Sequence, residues 1–480
     1  MNESLKQSMR MSRRDFLRVT GLTVAGGVLV ACAPAAPPPA AVPAADTSAA
    51  QSTPGTSAPA ADKIEVQMMM NGPEFTDAEI DIFQEKNPGI IANRLDPDTT
   101  RYFAMLAAGN PPDILRLQAP QFPQLLARKI PLNLQPFIDV SELVHVEDLA
   151  PANNYYRSGS DALEIGDGDV YGMVKDWSPD MTLWANLDLI EEAGLPAPSF
   201  DEAMTYQDVR LYAEKLVKFE GDRTVNRGFD TNQPWIERFW MVWLEGMGNS
   251  LFSDDFKEMQ LVKNDEAREA VAWHFDLSTD KLSISPSNPS PSWFGQDFAT
   301  GTLGLLQFGF WYSGGIEVWS DDAMKEKTAA GRIVMLPSPT WKGVKRGPTI
   351  TATGTIVTAA TKHPEEAYRL FEWYNAEEAA DNRAKSGWGV PALKSKYAMI
   401  PKEGAYRSQV WGVLEKELKD AETIVKFNPF LAGGEPGEVA SLYAQFMEQT
   451  LNGDITFDEM LEKIETQTNT AIQDGIDRIL

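Results

Sequence analysis

The alternation of apolar and polar residues over 63–117 predicts strands separated by helices. Every second residue is apolar in 63–70, and shorter apolar runs follow at 89–95 and 113–117. Between the runs, apolar residues recur at helical spacing around Phe75, Ile82 and Phe83, and again over 99–108. Strands that alternate with helices through short connections are typical of a parallel sheet, where ligands bind at the carboxyl ends of the strands. The loops 71–74 and 118–121 are therefore the first candidates for a binding site.

A second pattern, over 171–195, predicts a strand that is interrupted in its middle. Apolar residues alternate as far as 174 and resume over 181–187, and the segment 175–180 between them is polar. Ser178-Pro179-Asp180 cannot continue a strand ladder. A short helix over 189–193 ends at Gly194. We interpret the interruption as a crossing between two lobes, so that its residues face a cleft.

The remainder of the chain continues the mixed pattern. We predict a long helix over 200–220, an extended piece over 224–229, strands over 303–308, 333–336 and 349–359, and a helix over 363–375. An aromatic stripe with i, i+3, i+4, i+7 spacing runs from Ile236 to Met247 and is expected in the core. Trp235 stands at the start of that helix, off the stripe, and is a better candidate for a cleft.

The N-terminus has the features of an export and lipidation signal. Residues 12–18, SRRDFLR, match the twin-arginine consensus, and the apolar run 19–31 is shorter than the ~20 residues that span a bilayer. Residues 29–32, LVAC, resemble a lipobox, and Cys32 is the only cysteine in the chain. We therefore expect a signal peptide over 1–32 and a lipid anchor on Cys32. The Ala-, Pro- and Ser-rich segment 33–61 is expected to be a flexible tether.

Length and charge narrow the class of protein. A chain of 480 residues exceeds the size of a single hydrophobic core, so two or more domains are expected. The net charge is −26, and this excess of acidic groups argues against nucleic acid and anionic lipid as ligands.

Several segments, in order along the chain, resemble the extracellular solute-binding proteins of ABC importers, in their sugar-binding branch. They are 107–114 (AAGNPPDI), 171–195 (YGMVKDWSPDMTLWANLDLIEEAGL), 294–311 (FGQDFATGTLGLLQFGFW) and 386–391 (SGWGVP). Ala185-Asn186 stands where the family usually has Tyr-Asn. The resemblance implies an α/β fold of the two-lobe, maltose-binding-protein-like type (type II) with a hinge and a cleft. Lobe I would combine 62–177 with 350–386, and lobe II 178–349 with 387–480.

The resemblance also implies a ligand and partners. The chain would be a lipid-anchored, extracytoplasmic receptor, monomeric, that binds a carbohydrate, an oligosaccharide above all, and delivers it to the permease subunits of an ABC transporter. An indole face suits the C–H face of a sugar ring, and amide or carboxylate groups suit its hydroxyls. The candidate ligand-binding residues are Asn71, Gln118, Trp177, Asp180, Gln233, Trp235, Trp311 and Trp388.

Nothing in the sequence predicts a catalytic residue, a cofactor or a metal site. The three histidines are far apart, Cys32 lies in the leader, and neither a P-loop nor a G-x-S-x-G motif occurs. A glycoside-active enzyme needs only two carboxylates, however, and Asp176, Asp180 and Glu237 are all near the expected cleft. That enzyme remains the alternative to a receptor, and a receptor for a solute other than a sugar remains open as well.

Overall fold

A computed structural model describes residues 63–159, 165–231, 233–419, 424–434 and 436–479. The predicted signal peptide 1–32, the tether 33–61 and the lipidation residue Cys32 lie outside the described residues. The folded part, from residue 61 onward, is one compact unit.

Most of the strands are short, and the longest is β10. In chain order the strands are β1 Ile64–Met69, β2 Ile90–Leu95, β3 Ile114–Leu117, β4 Arg157–Ser158, β5 Asp169–Val170, β6 Met173–Val174, β7 Asp176–Trp177, β8 Leu183–Asn186, β9 Lys218–Glu220, β10 Arg223–Thr231, β11 Leu303–Gln307, β12 Ile333–Leu336, β13 Thr340–Trp341, β14 Val344–Lys345, β15 Gly354–Val357 and β16 Val390–Pro391.

The first sheet has the strand order β2-β1-β3-β15-β6. Strand β1 is parallel to β2 over its whole length, from Ile64 opposite Ile90 to Met69 opposite Leu95, and it is also parallel to β3. Strand β15 is antiparallel to both β3 and β6. The three strands predicted before residue 118 and their parallel arrangement are therefore confirmed. The loops that follow β1 and β3 lie at the same edge of this sheet.

The second sheet has the order β12-β8-β11-β10-β9. Strand β8 is antiparallel to β11 and β12, whereas β10 is parallel to β11. Its central strands are buried on both faces, as the successive residues Leu305 and Leu306 of β11 illustrate, since they point to opposite faces and neither has exposed surface. All five strands of each sheet fall within one predicted lobe. The exact boundaries of the lobes stay a prediction.

Helices cover both sheets. They are α1 Asp77–Lys86, α2 Thr99–Ala107, α3 Phe122–Ala127, α4 Gln135–Ile138, α5 Leu187–Glu192, α6 Tyr206–Leu216, α7 Ile236–Gly246, α8 Asp265–Thr279, α9 Phe294–Ala299, α10 Tyr312–Trp319, α11 Asp322–Ala329, α12 Pro364–Ala376, α13 Glu378–Ser386, α14 Ala405–Glu417, α15 Glu438–Leu451 and α16 Phe457–Ile479. Across the described residues, no helix is both long and apolar enough to cross a membrane.

The helix predicted over 200–220 is shorter than expected. It begins only after Thr205, whose hydroxyl forms a capping box with Asp208, and it ends at Leu216 because Val217 is extended. Phe219 then pairs with Thr224 in the antiparallel strands β9 and β10. The apolar spacing correctly predicted a helix, α6. The cap at Thr205 shortens that helix at its start, and the β9–β10 hairpin takes the residues after 217.

The interrupted strand of 171–187 exists as three pieces, β6, β7 and β8. The middle piece leaves the first sheet and pairs with β16, where Trp177 lies opposite Val390. The predicted return strand 349–359 contributes only Gly354–Val357 to the sheet. The residues before it, 349–353, are irregular, and Ala352 has a left-handed backbone with φ 39°.

Candidate functional site

A cavity of about 710 Å³ lies where loops from both sheets meet. On one side it is lined by the loops after β1 and β3, and on the other by the residues just before α7, α9 and α10. The segment around β7, the irregular 351–353 and the segment before β16 complete its wall. The site therefore lies at the carboxyl edge of β1 and β3, as the strand pattern predicts.

Six tryptophans line this cavity: Trp177, Trp235, Trp293, Trp311, Trp319 and Trp388. The ring of Trp319 meets three of the others, with centroid distances of 5.0 Å to Trp293, 6.2 Å to Trp311 and 5.7 Å to Trp388. The first two contacts are edge to face, with interplanar angles of 89° and 83°. An edge-to-face contact covers one face of one ring and no face of the other, so this cluster keeps flat apolar surface within the cavity lining.

Helix α10 packs tightly enough to bring two of these rings together. A Cβ at Gly315 would lie 2.3 Å from the ring of Trp319, and one at Gly314 would lie 3.0 Å from the backbone of Trp388. Only glycine fits at positions 314 and 315, because a side chain there would overlap the backbone of Trp388 or the ring of Trp319. The pair Gly314-Gly315 is thus the sequence feature that allows Trp319 and Trp388 to meet.

Another part of the cavity lining is charged. Arg116 donates to Glu74 through two nitrogens, Nε at 2.6 Å and Nη2 at 3.1 Å. Lys175 lies 3.5 Å from Glu74 and also pairs with Asp176. Burial alone would raise the pKa of Glu74, but the charges of Arg116 and Lys175 outweigh burial and lower that pKa to about 2. Two cations and two anions therefore alternate along this wall, and the charges of these four groups cancel. The exposed carboxylate of Asp96 also belongs to the cavity lining and adds a further negative charge.

Gln118 is held in place by a residue that the sequence analysis missed. The guanidinium of Arg238 donates to Oε1 of Gln118 at 2.8 Å and lies over the ring of Trp235, 5.4 Å from its centroid. Arg238 is almost completely buried. The sequence did contain a sign of this role, because Arg238 is the one cation among the otherwise apolar buried residues of α7. A buried charge needs hydrogen-bond partners nearby.

Most of the sequence candidates are brought together at this cavity. Six of the eight line it, namely Asn71, Gln118, Trp177, Trp235, Trp311 and Trp388. Trp293, Trp319 and Arg116 also line the cavity and were not predicted from the sequence, nor were the ion pairs that Glu74, Lys175 and Asp176 form there. Whether the six candidates contact a ligand stays a prediction.

Asp180 and Gln233 do not line the cavity. Asp180 is 2% exposed, and its carboxylate accepts hydrogen bonds from Ser178 and from the backbone of Ile350 and Thr351. Burial raises the pKa of Asp180, and these hydrogen bonds oppose the rise. The Asp180 carboxylate therefore serves the backbone, which corrects its expected position in the cleft.

Gln233 likewise turns toward the protein. Its side-chain nitrogen donates to Oδ1 of Asp230 at 3.0 Å, just before the turn that leads to Trp235. Asp230 is fully buried, and burial raises its pKa to about 7 against the hydrogen bonds that it accepts. In this arrangement Gln233 supports the turn and lies outside the cavity lining.

Comparison with protein families identifies the chain. The sequence pattern of the bacterial extracellular solute-binding proteins matches residues 78–405. The chain belongs to this family. The search among curated proteins gives no match.

Solved structures share the fold of this solute-binding protein. An ABC substrate-binding protein from Listeria monocytogenes, in complex with cycloalternan, has a TM-score of 0.68 at 20% identity, covering 86% of this chain and 100% of its own. A transporter-associated binding protein from B. animalis subsp. lactis, in complex with beta-1,6-galactobiose, has a TM-score of 0.65 at 17% identity, covering 86% and 99%. A solute-binding protein from Agrobacterium vitis with bound D-mannitol has a TM-score of 0.65 at 18% identity, also covering 86% and 99%.

These likenesses confirm the predicted two-lobe, maltose-binding-protein-like α/β fold of the solute-binding protein. Its family consists of binding proteins and not of enzymes. Within the part of the chain that the structure describes, no group of three or more His, Cys, Asp or Glu side chains is arranged to hold a metal ion.

Proposed function

We propose that this solute-binding protein binds an uncharged carbohydrate, an oligosaccharide, and delivers it to the permease of an ABC importer. The observation that carries the proposal is the combination of six indoles and a set of ion-paired polar side chains in the lining of one cavity. A sugar ring has an apolar C–H face and a rim of hydroxyls. The indoles suit the face, and the ion-paired side chains have oxygens and N–H groups for the rim.

The cavity and the neighbours support a carbohydrate further. A volume of about 710 Å³ lies within the range of roughly 300–1,000 Å³ that is usual for ligand sites. The similar proteins were solved with cycloalternan, beta-1,6-galactobiose and D-mannitol, all of them uncharged polyols. A charged solute would have to compete with the ion pairs that Arg116, Glu74, Lys175 and Asp176 already form with one another.

The mechanism that we propose is closure around the ligand. Asn71 and Arg116 belong to predicted lobe I, whereas Trp235 and Trp311 belong to predicted lobe II, and all four line the same cavity. A ligand that contacts both groups binds the closed arrangement better than an open one, so it shifts the population toward closure. The permease then recognises the closed receptor.

The alternative of a glycoside-active enzyme has less support. Such an enzyme needs a carboxyl with a raised pKa as its general acid, beside a second carboxylate. Of the three carboxylates named for this alternative, Asp176 lines the cavity, where it pairs with Lys175. Burial raises the pKa of the other two, Asp180 and Glu237, but neither of them lines the cavity. Glu74 does line the cavity, but its pKa of about 2 makes it a poor acid catalyst at neutral pH. We therefore propose binding without chemistry.

A panel experiment separates these functions. Thermal unfolding is measured with neutral mono- and oligosaccharides, a uronic acid, a polyamine and a peptide, and tryptophan emission is titrated with the same solutes. We expect a neutral sugar to raise the unfolding temperature most and to be recovered unaltered. Release of reducing ends on long incubation would favour the enzyme, and a larger shift with the polyamine or the peptide would overturn the carbohydrate.

We further propose that the chain is exported through its twin-arginine signal and held at the cell envelope through lipid on Cys32. The motifs of residues 12–18 and 29–32 support this proposal. The tether of 33–61 would let a monomeric receptor reach a membrane-bound permease. Membership of an extracellular family agrees with export.

A further inference from the structure

The carboxylate of Asp180 lies at a junction of three chain segments beside the cavity. The first segment is 178–180, which follows β7, and the second is 348–351, which precedes β15. The third is the backbone at Gly309, after β11, where a Cβ would lie 2.3 Å from Oδ1 of Asp180. Each of these segments leads directly into a residue that lines the cavity.

The hydrogen bonds of Asp180 connect the first two segments. Its Oδ2 accepts from the backbone N–H of Ile350 at 2.8 Å and of Thr351 at 3.1 Å, and from the hydroxyls of Thr351 at 2.9 Å and Thr349 at 3.3 Å. Its Oδ1 accepts from the Ser178 hydroxyl at 2.7 Å. Its own N–H donates to the carbonyl of residue 348 at 3.1 Å. One buried side chain thus fixes the position of segment 348–351 relative to segment 178–180.

The segments that Asp180 connects carry cavity groups. Ser178, Thr351 and Thr353 line the cavity, and Trp311 follows Gly309 by two residues. Between the two threonines, Ala352 has a φ of 39°, a left-handed conformation that alanine adopts only when its surroundings impose it. The hydrogen bonds to Thr351 are the nearest restraint on that conformation. Thr351 also donates its hydroxyl proton to Asp180, so only its lone pairs are left for a ligand.

We propose that Asp180 is a positioning residue for the binding site. It sets Thr351 in place through hydrogen bonds, and it sets Trp311 in place through the close packing of its carboxylate against the backbone at Gly309. At Thr351 the site then accepts a hydrogen bond, and a ligand hydroxyl must donate there. This consequence for the ligand rests on the function proposed above. The positioning itself does not, because it concerns the protein before anything binds.

The test uses a spectroscopic signal of the ligand-free protein. The chain is labelled with 5-fluorotryptophan, and the resonance of Trp311 is assigned by its loss in Trp311→Phe. In Asp180→Ala we expect this resonance to shift or broaden. Asp180→Asn keeps one oxygen for the N–H groups of Ile350 and Thr351, so we expect it to restore part of the parent spectrum.

A matched control separates positioning from the general cost of removing a buried carboxylate. Glu417 is fully buried in α14, where it accepts from the Ser338 hydroxyl at 2.6 Å and pairs with Lys345 at 2.6 Å. None of these three residues lines the cavity. Glu417→Ala should therefore leave the Trp311 resonance unchanged. Quenching of tryptophan emission by acrylamide, a small neutral probe, should increase in Asp180→Ala more than in Glu417→Ala.

Two results would overturn the inference. One is a Trp311 resonance that stays at the parent position in Asp180→Ala, and the other is an equal change in Glu417→Ala. If Asp180→Ala does not fold, Asp180→Asn and Thr349→Val decide, since Thr349→Val removes one donor to Asp180 outside the cavity lining. A parent resonance in both of these variants would also overturn it. None of the measurements needs a sugar, so failure of the carbohydrate proposal leaves this test intact.

Discussion

The guanidinium of Arg238 donates a hydrogen bond of 2.8 Å to Oε1 of Gln118. Gln118 follows strand β3 of the first sheet, and Arg238 lies in helix α7, so the bond joins two parts of the fold that are 120 residues apart. Arg238 also donates to the carbonyl of Ile350 at 3.2 Å. Arg238 therefore contacts two residues of the cavity lining, the polar Gln118 and the aromatic Trp235.

Replacing Arg238 should lower the stability of the folded protein. Arg238→Met removes the donor and leaves the oxygens of Gln118 and Ile350 buried without it, so we expect the free energy of unfolding to fall by about 2 kcal/mol or more. Urea unfolding followed by circular dichroism measures the change. The control is Arg346→Met, which removes a partly exposed ion pair with Glu245 and should cost about 1 kcal/mol or less. Equal losses in the two variants would contradict the role of Arg238.

Trp319 should be the most important indole for binding, because its ring contacts three of the other cavity indoles. Trp319→Ala should weaken the best sugar of the panel by ~1–3 kcal/mol, from loss of apolar contact. Calorimetric titration measures the affinity. Trp411→Ala is the control, since Trp411 is also partly buried but lies against Lys402, away from the cavity. A Trp319 variant that binds like the Trp411 variant would place the sugar elsewhere.

Glu74 should make the free energy of unfolding depend on pH in the acid range. Its pKa is about 2 in the folded protein, below its unfolded value near ~4.3, so its contribution is present above pH ~4.3 and is lost as the pH falls toward 2. Glu74→Gln should lower the free energy of unfolding at pH 7 and flatten this part of the profile. Unfolding by urea between pH 2 and 7 measures both effects. The exposed Glu85→Gln should retain the parent profile.

His274 should make the free energy of unfolding depend on pH over a higher range than Glu74 does. It is buried beside Trp243, accepts the indole N–H of Trp240 at 3.0 Å, and burial lowers its pKa to about 3. The unfolded chain binds this proton from pH ~6.5 downward, so stability should fall between 6.5 and 3 as the pH is lowered. His274→Gln should reduce that fall, even if it costs stability at pH 7. An unchanged slope between pH 6.5 and 4.5 would show that His274 does not cause it.

The proposed anchor predicts a change of location. Cys32→Ser removes the thiol that would carry lipid, so the protein should leave the membrane fraction and appear in the soluble extracytoplasmic fraction. Detergent phase partitioning of cell extracts measures this change. Replacement of Arg13 and Arg14 by lysine tests the other signal and should hold the precursor in the cytoplasm. Membrane retention of the Cys32 variant would rule out the lipid anchor.

The sequence was sufficient to predict the first three strands of the first sheet and four of the six tryptophans that line the cavity. Strand period and turn residues are local properties, so β1, β2 and β3 and the loops after them could be placed by pattern alone. Trp235 was found because it stands at the start of a predicted helix, and Trp311 was found because it follows the carboxyl end of a predicted buried strand. Trp319 was missed because it ends a helix whose spacing resembles that of a core helix.

The charged and polar groups were harder to predict, for a physical reason. Glu74 and Lys175 are 101 positions apart in the sequence, and nothing local shows that they meet in one ion-paired wall. Asp180 was expected in the cleft because it is polar and lies at the strand break. A buried carboxylate serves backbone N–H groups as readily as a ligand, and only the position of 348–351 decides between the two.

The alternating wall of Arg116, Glu74, Lys175 and Asp176 has a consequence for the environments in which the receptor works. Dissolved salt weakens attraction between exposed, uncompensated charges, but it acts little on buried pairs whose charges already cancel. The affinity for a neutral solute should therefore be almost the same in dilute and in concentrated electrolyte.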